Sequence, residues 1–125
     1  MKHRRSLSIL STLVVMLSAV LLGSTVVAQA ADADQGKKLY GQFCASCHGQ
    51  SGKGDGPAAA ALNPKPRDHT NQEYMSKMSD DEMLKVIKDG GASVGKSPLM
   101  PPWGASLKDD QIKDVIAYIR TLCCQ

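Results

Sequence analysis

Apolar residues in this chain recur at helical spacing, and no window alternates apolar with polar residues over a strand's length, so the pattern predicts helices and no sheet. Leu39, Tyr40 and Phe43 share one face of a segment from Asp34 to Cys44. Acidic residues open that segment and lysines follow, the order a helix dipole favours. Ser79 with Glu82 reads as a capping box; it opens a second helix over Asp80 to Asp89, with Met83, Leu84 and Ile87 on one face and Gly90 as terminator. Ile112, Val115, Ile116, Ile119 and Leu122 then recur at i, i+3, i+4, i+7 and i+10, the clearest helix of the chain.

The stretches between these helices are long. Gly49 to Thr70 is punctuated by glycines, by Asn63-Pro64 and by Pro66, and Gly90 to Gly104 by Pro98, Pro101 and Pro102, so neither continues a helix or a central strand. Loops of this length in a small domain count against a fold unless they wrap a ligand. A large apolar cofactor would supply the missing core. The expected fold class is therefore all-α, three or more short helices with long wrapping loops.

Residues 1–30 follow an export pattern: Lys2, Arg4 and Arg5, an apolar stretch from Ile9 to Leu22, then Ala28-Gln29-Ala30. Cleavage is expected after Ala30, leaving a domain over 31–125; an uncleaved leader would instead anchor the domain to a membrane. Either way the domain lies outside the cytoplasm, with the periplasm as the expected compartment. The formal charge of +3 comes from the leader's three cations, because the remainder carries twelve Lys and Arg against twelve Asp and Glu. Such a balance speaks against a nucleic-acid partner.

Candidate chemistry concentrates at Cys44-Ala45-Ser46-Cys47-His48, a C-x-x-C-H run. This is the pattern for covalent haem attachment: two thiols three positions apart bond the two vinyl groups on one haem edge, and the next residue offers its imidazole to the iron. Three competing readings are a thioredoxin-like redox pair, which needs a βαβ context; a zinc site recruiting Cys123 and Cys124; and a Cys44/Cys47 disulfide, which gives His48 no task. A second iron ligand is sought among Met75, Met78, Met83, Met100, His69 and the lysines. Met100 is favoured, because Pro98, Pro101 and Pro102 restrict the backbone that presents its thioether. Met83 lies on the apolar face of the second helix, Met75 and Met78 precede it, and His69 reads as an exposed loop histidine.

With those residues in place, the region 31–125 resembles the monohaem class I c-type cytochromes. The resemblance rests on Gly36 and Tyr40, on Cys44 to His48, on Gly52-Lys53-Gly54-Asp55-Gly56-Pro57, on Pro66-Arg67-Asp68, on Met100-Pro101-Pro102-Trp103, and on the last helix with Val115 and Tyr118. It implies one covalent haem c with His48 and Met100 as axial ligands. It also implies that Gly36 and Tyr40 cross Val115 and Tyr118, that the Pro57 carbonyl accepts the Nδ1 proton of His48, and that Arg67 and Trp103 donate to the haem propionates. His69 stands where relatives have an aromatic residue, and Lys108 where Ser or Thr would cap the last helix, so the cap falls on Lys108 or Asp109. Cys123 and Cys124 lie outside the family pattern and would form an intermolecular bridge, a vicinal disulfide or nothing.

The expected function is electron transfer: a monomeric, exported, non-enzymatic carrier exchanging single electrons with redox partner proteins. The alternatives are a haem-bearing subunit or anchored domain of a larger respiratory oxidoreductase, and a haem module whose Met100 yields to a small ligand.

Overall fold

The computed structural model describes residues 30–124, which places residues 1–29 of the expected leader outside the described part. Within it are five helices, no strands and two 3-10 turns: α1 (Ala33–Phe43), α2 (Ala45–His48), α3 (Gln72–Met75), α4 (Asp80–Asp89) and α5 (Asp109–Cys123), with the turns at Ala59–Ala61 and Gly91–Val94. None of the described helices is long and apolar enough to cross a membrane.

Two of the three long helices start where the sequence supplies an acceptor for the unpaired amides of the first turn. Asp32 caps α1, its carboxylate accepting from the amides of Asp34 and Gln35 at 2.9 and 3.1 Å. Ser79 caps α4, its hydroxyl accepting from the Glu82 amide at 3.1 Å. At α5 the cap position is Lys108 rather than Asp109, which is already helical. Lysine has no acceptor to offer, so only half of a capping box forms: the Gln111 side chain accepts from the Lys108 amide at 3.0 Å. Asp109 is used instead in an ion pair with Lys88 of α4 at 2.8 Å.

The apolar faces set the packing. Helix α1 lies across α5, and α4 packs on α5 from another side. Ile112 and Val115 are fully enclosed, with Ile116, Ile119, Tyr40 and Ile87 close behind. Removing one such side chain from water is worth roughly 1.5–3 kcal/mol. Gly36 makes the α1–α5 approach possible, since a Cβ there would overlap the Asp114 carbonyl. Tyr40, one turn on, meets Tyr118 edge-on with ring centroids 5.2 Å apart. The crossing is tied off by the Asp32 amide, which donates to the Asp114 carboxylate at 2.7 Å.

The remaining segments wrap this frame. Arg120 of α5 gathers one of them: its guanidinium donates to the Met75 and Met78 carbonyls at 2.7 and 2.6 Å and pairs with Asp80 at 2.7 Å. Helix α3, too short to show a period in the sequence, is capped by the Asn71 side chain accepting from the Tyr74 amide at 3.0 Å. At the C-terminal end of α5, Cys123 and Cys124 form a vicinal disulfide, one of the outcomes expected for them.

Candidate functional site

The pentapeptide lies at the junction of α1 and α2: Cys44 terminates α1, and Cys47 and His48 lie on the single turn of α2. A helix this short leaves its last carbonyls unpaired, and the glycine-rich loop turns back to satisfy them. The amides of Gly54, Gly56 and Ala58 donate to the carbonyls of His48, Cys47 and Ser46 at 2.8, 3.1 and 2.9 Å. Glycine is required for that return. Gly54 has φ +74°, which disfavours a side chain, and a Cβ on it would overlap the Pro66 carbonyl.

Cys44 and Cys47 are both free thiols. Burial pushes the Cys44 thiol up to about 12, with the neighbouring Cys47 adding to the effect, so it is held as S–H. The redox-pair reading lacks its βαβ setting, since the described residues contain no strand. For the zinc reading, no group of three or more His, Cys, Asp or Glu is gathered among the described residues.

His48 is buried, and its Nδ1–H donates to the Arg67 carbonyl at 2.9 Å. The partner implied by the family resemblance, the Pro57 carbonyl, is not the one used. Pro57 is exposed and lines a shallow surface hollow with Gly41, Ser46 and Asp55, outside the main cavity. The reason is the path of the chain: after Gly56 the backbone pairs with α2, and the carbonyl that reaches the imidazole edge belongs to the returning segment ten residues later. Burial lowers the His48 pKa, with the Arg67 carbonyl opposing, so the ring is a neutral base; with the proton on Nδ1 the lone pair is left at Nε2.

His69, expected in an exposed loop, is buried at 9% exposure. Its ring stacks on that of His48, centroids 4.2 Å apart and planes 16° from parallel. Its Nδ1 shares a 3.1 Å hydrogen bond with the Tyr40 hydroxyl. Burial, then the neighbouring His48, hold its pKa far below the usual 6.5, at about 3. Burial likewise raises the pKa of Tyr40, with nearby Cys44 adding to it. No periodicity marks position 69, because a loop residue carries none.

These groups open on one cavity of about 410 Å³, lined mostly by apolar side chains. Cys44, Cys47 and His48 line it, as does Met100, and so do Met75, Met78 and Met83. Met100 is held by its backbone: its carbonyl accepts from the Gly91 amide at 3.0 Å and its amide donates to the Ser97 carbonyl at 3.2 Å. Arg67 and Trp103, expected beside carboxylates of a cofactor, also line the cavity. In the structure the Arg67 guanidinium lies 3.8 Å above the Tyr74 ring, and Trp103 packs edge-on against Phe43 at 5.3 Å. Lys65 and Lys96 add cations to the same lining, Lys96 being paired with Glu82 at 2.8 Å, and among the described residues no carboxylate contributes to it.

Size and donor chemistry fit a large, flat, mainly apolar group bearing carboxylates. The volume is in the range of ligand pockets, two thiols stand beside an imidazole with its Nε2 lone pair available, soft thioethers share the cavity, and cations provide for acid groups.

Comparison with known proteins agrees with that chemistry. Residues 31–119 match a family model described as cytochrome C oxidase, cbb3-type, subunit III. Cytochrome c-554(547) of Halothiobacillus neapolitanus is 37% identical over 95 residues, covering 74% of this chain and 99% of its own. Cytochrome c6 of Thermosynechococcus vestitus is 31% identical over 101 residues, with 81% and 80% covered. The cbb3-type oxidase subunit CcoP of Azospirillum brasilense is 30% identical over 93 residues, covering 74% of this chain, which spans only 29% of that subunit. Among solved structures, the KustC0563 c-type cytochrome superposes with a TM-score of 0.58 at 25% identity, covering 70% of this chain and 96% of that one.

Proposed function

The chain belongs to the c-type cytochromes, and we propose from that premise that it is an exported, non-enzymatic carrier of single electrons whose haem c is held by Cys44, Cys47, His48 and Met100. One observation supports the ligand set above the others: the attachment pentapeptide and the backbone-restrained Met100 line the same apolar cavity.

Each residue then has a task. Cys44 and Cys47, both unpaired and lining the cavity, would hold the group through thioether links, so that it would stay attached in both oxidation states. His48 offers Nε2 while Arg67 holds Nδ1–H, a second bond that fixes the ring's tautomer and raises its basicity. Met100 offers a soft, neutral thioether. Held by these residues, haem iron would supply a one-electron ferric/ferrous couple, and Met/His ligation would raise its potential relative to two histidines. With His48 and Met100 both serving as ligands, no site would be left open for a substrate, and the chemistry supplied would be electron transfer without bond making. Arg67 and Lys65, which line the cavity, would offset the charge of the haem carboxylates, and Trp103 packed on Phe43 would form part of the apolar wall.

The acceptor and donor are redox proteins outside the cytoplasm, met through small weak interfaces that release quickly. A second reading, a haem-bearing part of a larger oxidoreductase, draws on the match to CcoP. Copurification of the tagged chain with an oxidase from detergent-solubilised membranes would favour it over a free carrier.

The test of the ligand set is a pyridine haemochrome spectrum with a near-infrared scan of the exported protein and its Met100→Ala variant. One covalent haem and a weak sulfur-to-iron band that disappears in the variant are expected. Persistence of the band would hand the role to Met75 or Met78. A colourless protein with Cys44 and Cys47 open to alkylation would end the reading, and prompt spectral change of the reduced protein with carbon monoxide would favour the ligand-binding module.

A further inference from the structure

We propose that His69 is a positioning residue for His48, fixing the plane of that imidazole from its face while the Arg67 carbonyl fixes it from its edge. The proposal deepens the function above and rests on His48 being the metal-bound imidazole. A ring held by one hydrogen bond at Nδ1 still tilts about that contact. The His69 ring, stacked at 4.2 Å and within 16° of parallel, takes away the tilt. Both contacts come from one tripeptide, Arg67-Asp68-His69, so edge and face are set together.

His69 is itself fixed from three sides. Its amide donates to the Gly52 carbonyl at 2.6 Å, tying the tripeptide to the glycine-rich loop. The adjoining Asp68 carboxylate accepts from the Thr70 amide and hydroxyl, both at 2.7 Å, which closes the turn beyond it. Tyr40 reaches it from α1, through the 3.1 Å hydrogen bond to Nδ1 and an edge-on ring contact at 5.8 Å. Tyr40 is 1% exposed and rests in turn on Tyr118 of α5. A continuous series, Tyr118 to Tyr40 to His69 to His48, therefore runs from the helix crossing to the attachment motif. A buried histidine that merely filled space would need neither a parallel stack nor a hydrogen-bonded partner on α1.

The experiment uses the mature haem-loaded protein and three variants, His69→Leu, His69→Phe and Tyr40→Phe. Proton NMR of the oxidised form reads the haem methyl resonances, whose paramagnetic spread follows the plane of the axial imidazole, and thermal unfolding is recorded beside it. His69→Leu is expected to change the order or spread of the methyl resonances, His69→Phe to restore most of the wild-type pattern because a flat ring can still stack, and Tyr40→Phe to shift it partway. A His69→Leu pattern that overlays the wild type, with only the unfolding temperature lowered, overturns the proposal and leaves His69 as core. Should His69→Leu fail to mature, Tyr40→Phe decides: an altered pattern supports the series and an unaltered one overturns it. If the wild type shows no shifted haem methyls at all, the haem reading fails and the proposal goes with it.

Discussion

The helix crossing and the cavity wall are held by different kinds of contact. At the crossing, side-chain shape does the holding: Ile112 and Val115 are fully enclosed and Gly36 admits the α5 backbone where any Cβ would collide. In the wall between Gly49 and Thr70 there is little to bury, and the chain is positioned by its own amides and carbonyls, through Gly54 to His48, Gly56 to Cys47 and His69 to Gly52. The first kind of contact resists a change of volume and the second a change of backbone angle. A domain with so few aromatics can still present a shaped cavity because the wall takes its form from the backbone and borrows rigidity from the crossing through Tyr40.

Substitutions that distinguish the two regions differ in size. The largest effect is expected from Gly36→Ala, which forces α1 and α5 apart; overpacking of this severity should cost about 3 kcal/mol or more, read as a fall in denaturant midpoint with an unchanged slope. Gly54→Ala comes next, at about 1–3 kcal/mol for strained backbone. Its signature in hydrogen exchange is faster loss of protection at Gly54, Gly56 and His69 than at the α1 and α5 amides. Equal acceleration everywhere would erase the distinction between frame and wall.

Tyr40→Phe removes the hydrogen bond that joins the two regions and should cost about 1 kcal/mol at neutral pH. Its pH dependence carries a sign. Burial raises the Tyr40 pKa above 10, so above that value the unfolded chain has released a proton that the folded one retains, and stability falls as pH rises. The variant lacks that loss, so its deficit relative to wild type should shrink in alkaline unfolding titrations; a constant deficit would contradict the assignment. Smallest of all is Lys77→Gln, which breaks an exposed pair with Glu73 and should change stability by less than about 0.5 kcal/mol.

What could be read from the sequence follows the same division. The amphipathic periods of Leu39 to Phe43, Met83 to Ile87 and Ile112 to Leu122 gave α1, α4 and α5, since burial of one helix face leaves a repeat in the residue types. The C-x-x-C-H run is equally local. The partner of His48 was misplaced because a carbonyl has no residue-type signature: any residue supplies one, and whether Pro57 or Arg67 does so depends on how the loop pairs with α2. His69 was misjudged for a related reason, as its burial comes from contacts with Tyr40, Gly52 and His48 that lie 29, 17 and 21 positions away along the chain. Helix α3 escaped because a single turn cannot display a period, although Asn71 was there to start it.

The terminal Cys123–Cys124 bridge bears on maturation. Its two sulfurs are spent on each other, which leaves Cys44 and Cys47 as the unpaired cysteines among the described residues. If the domain matures in an oxidising compartment with Cys44 and Cys47 as its attachment pair, that self-contained knot would keep two further thiols from cross-linking with them.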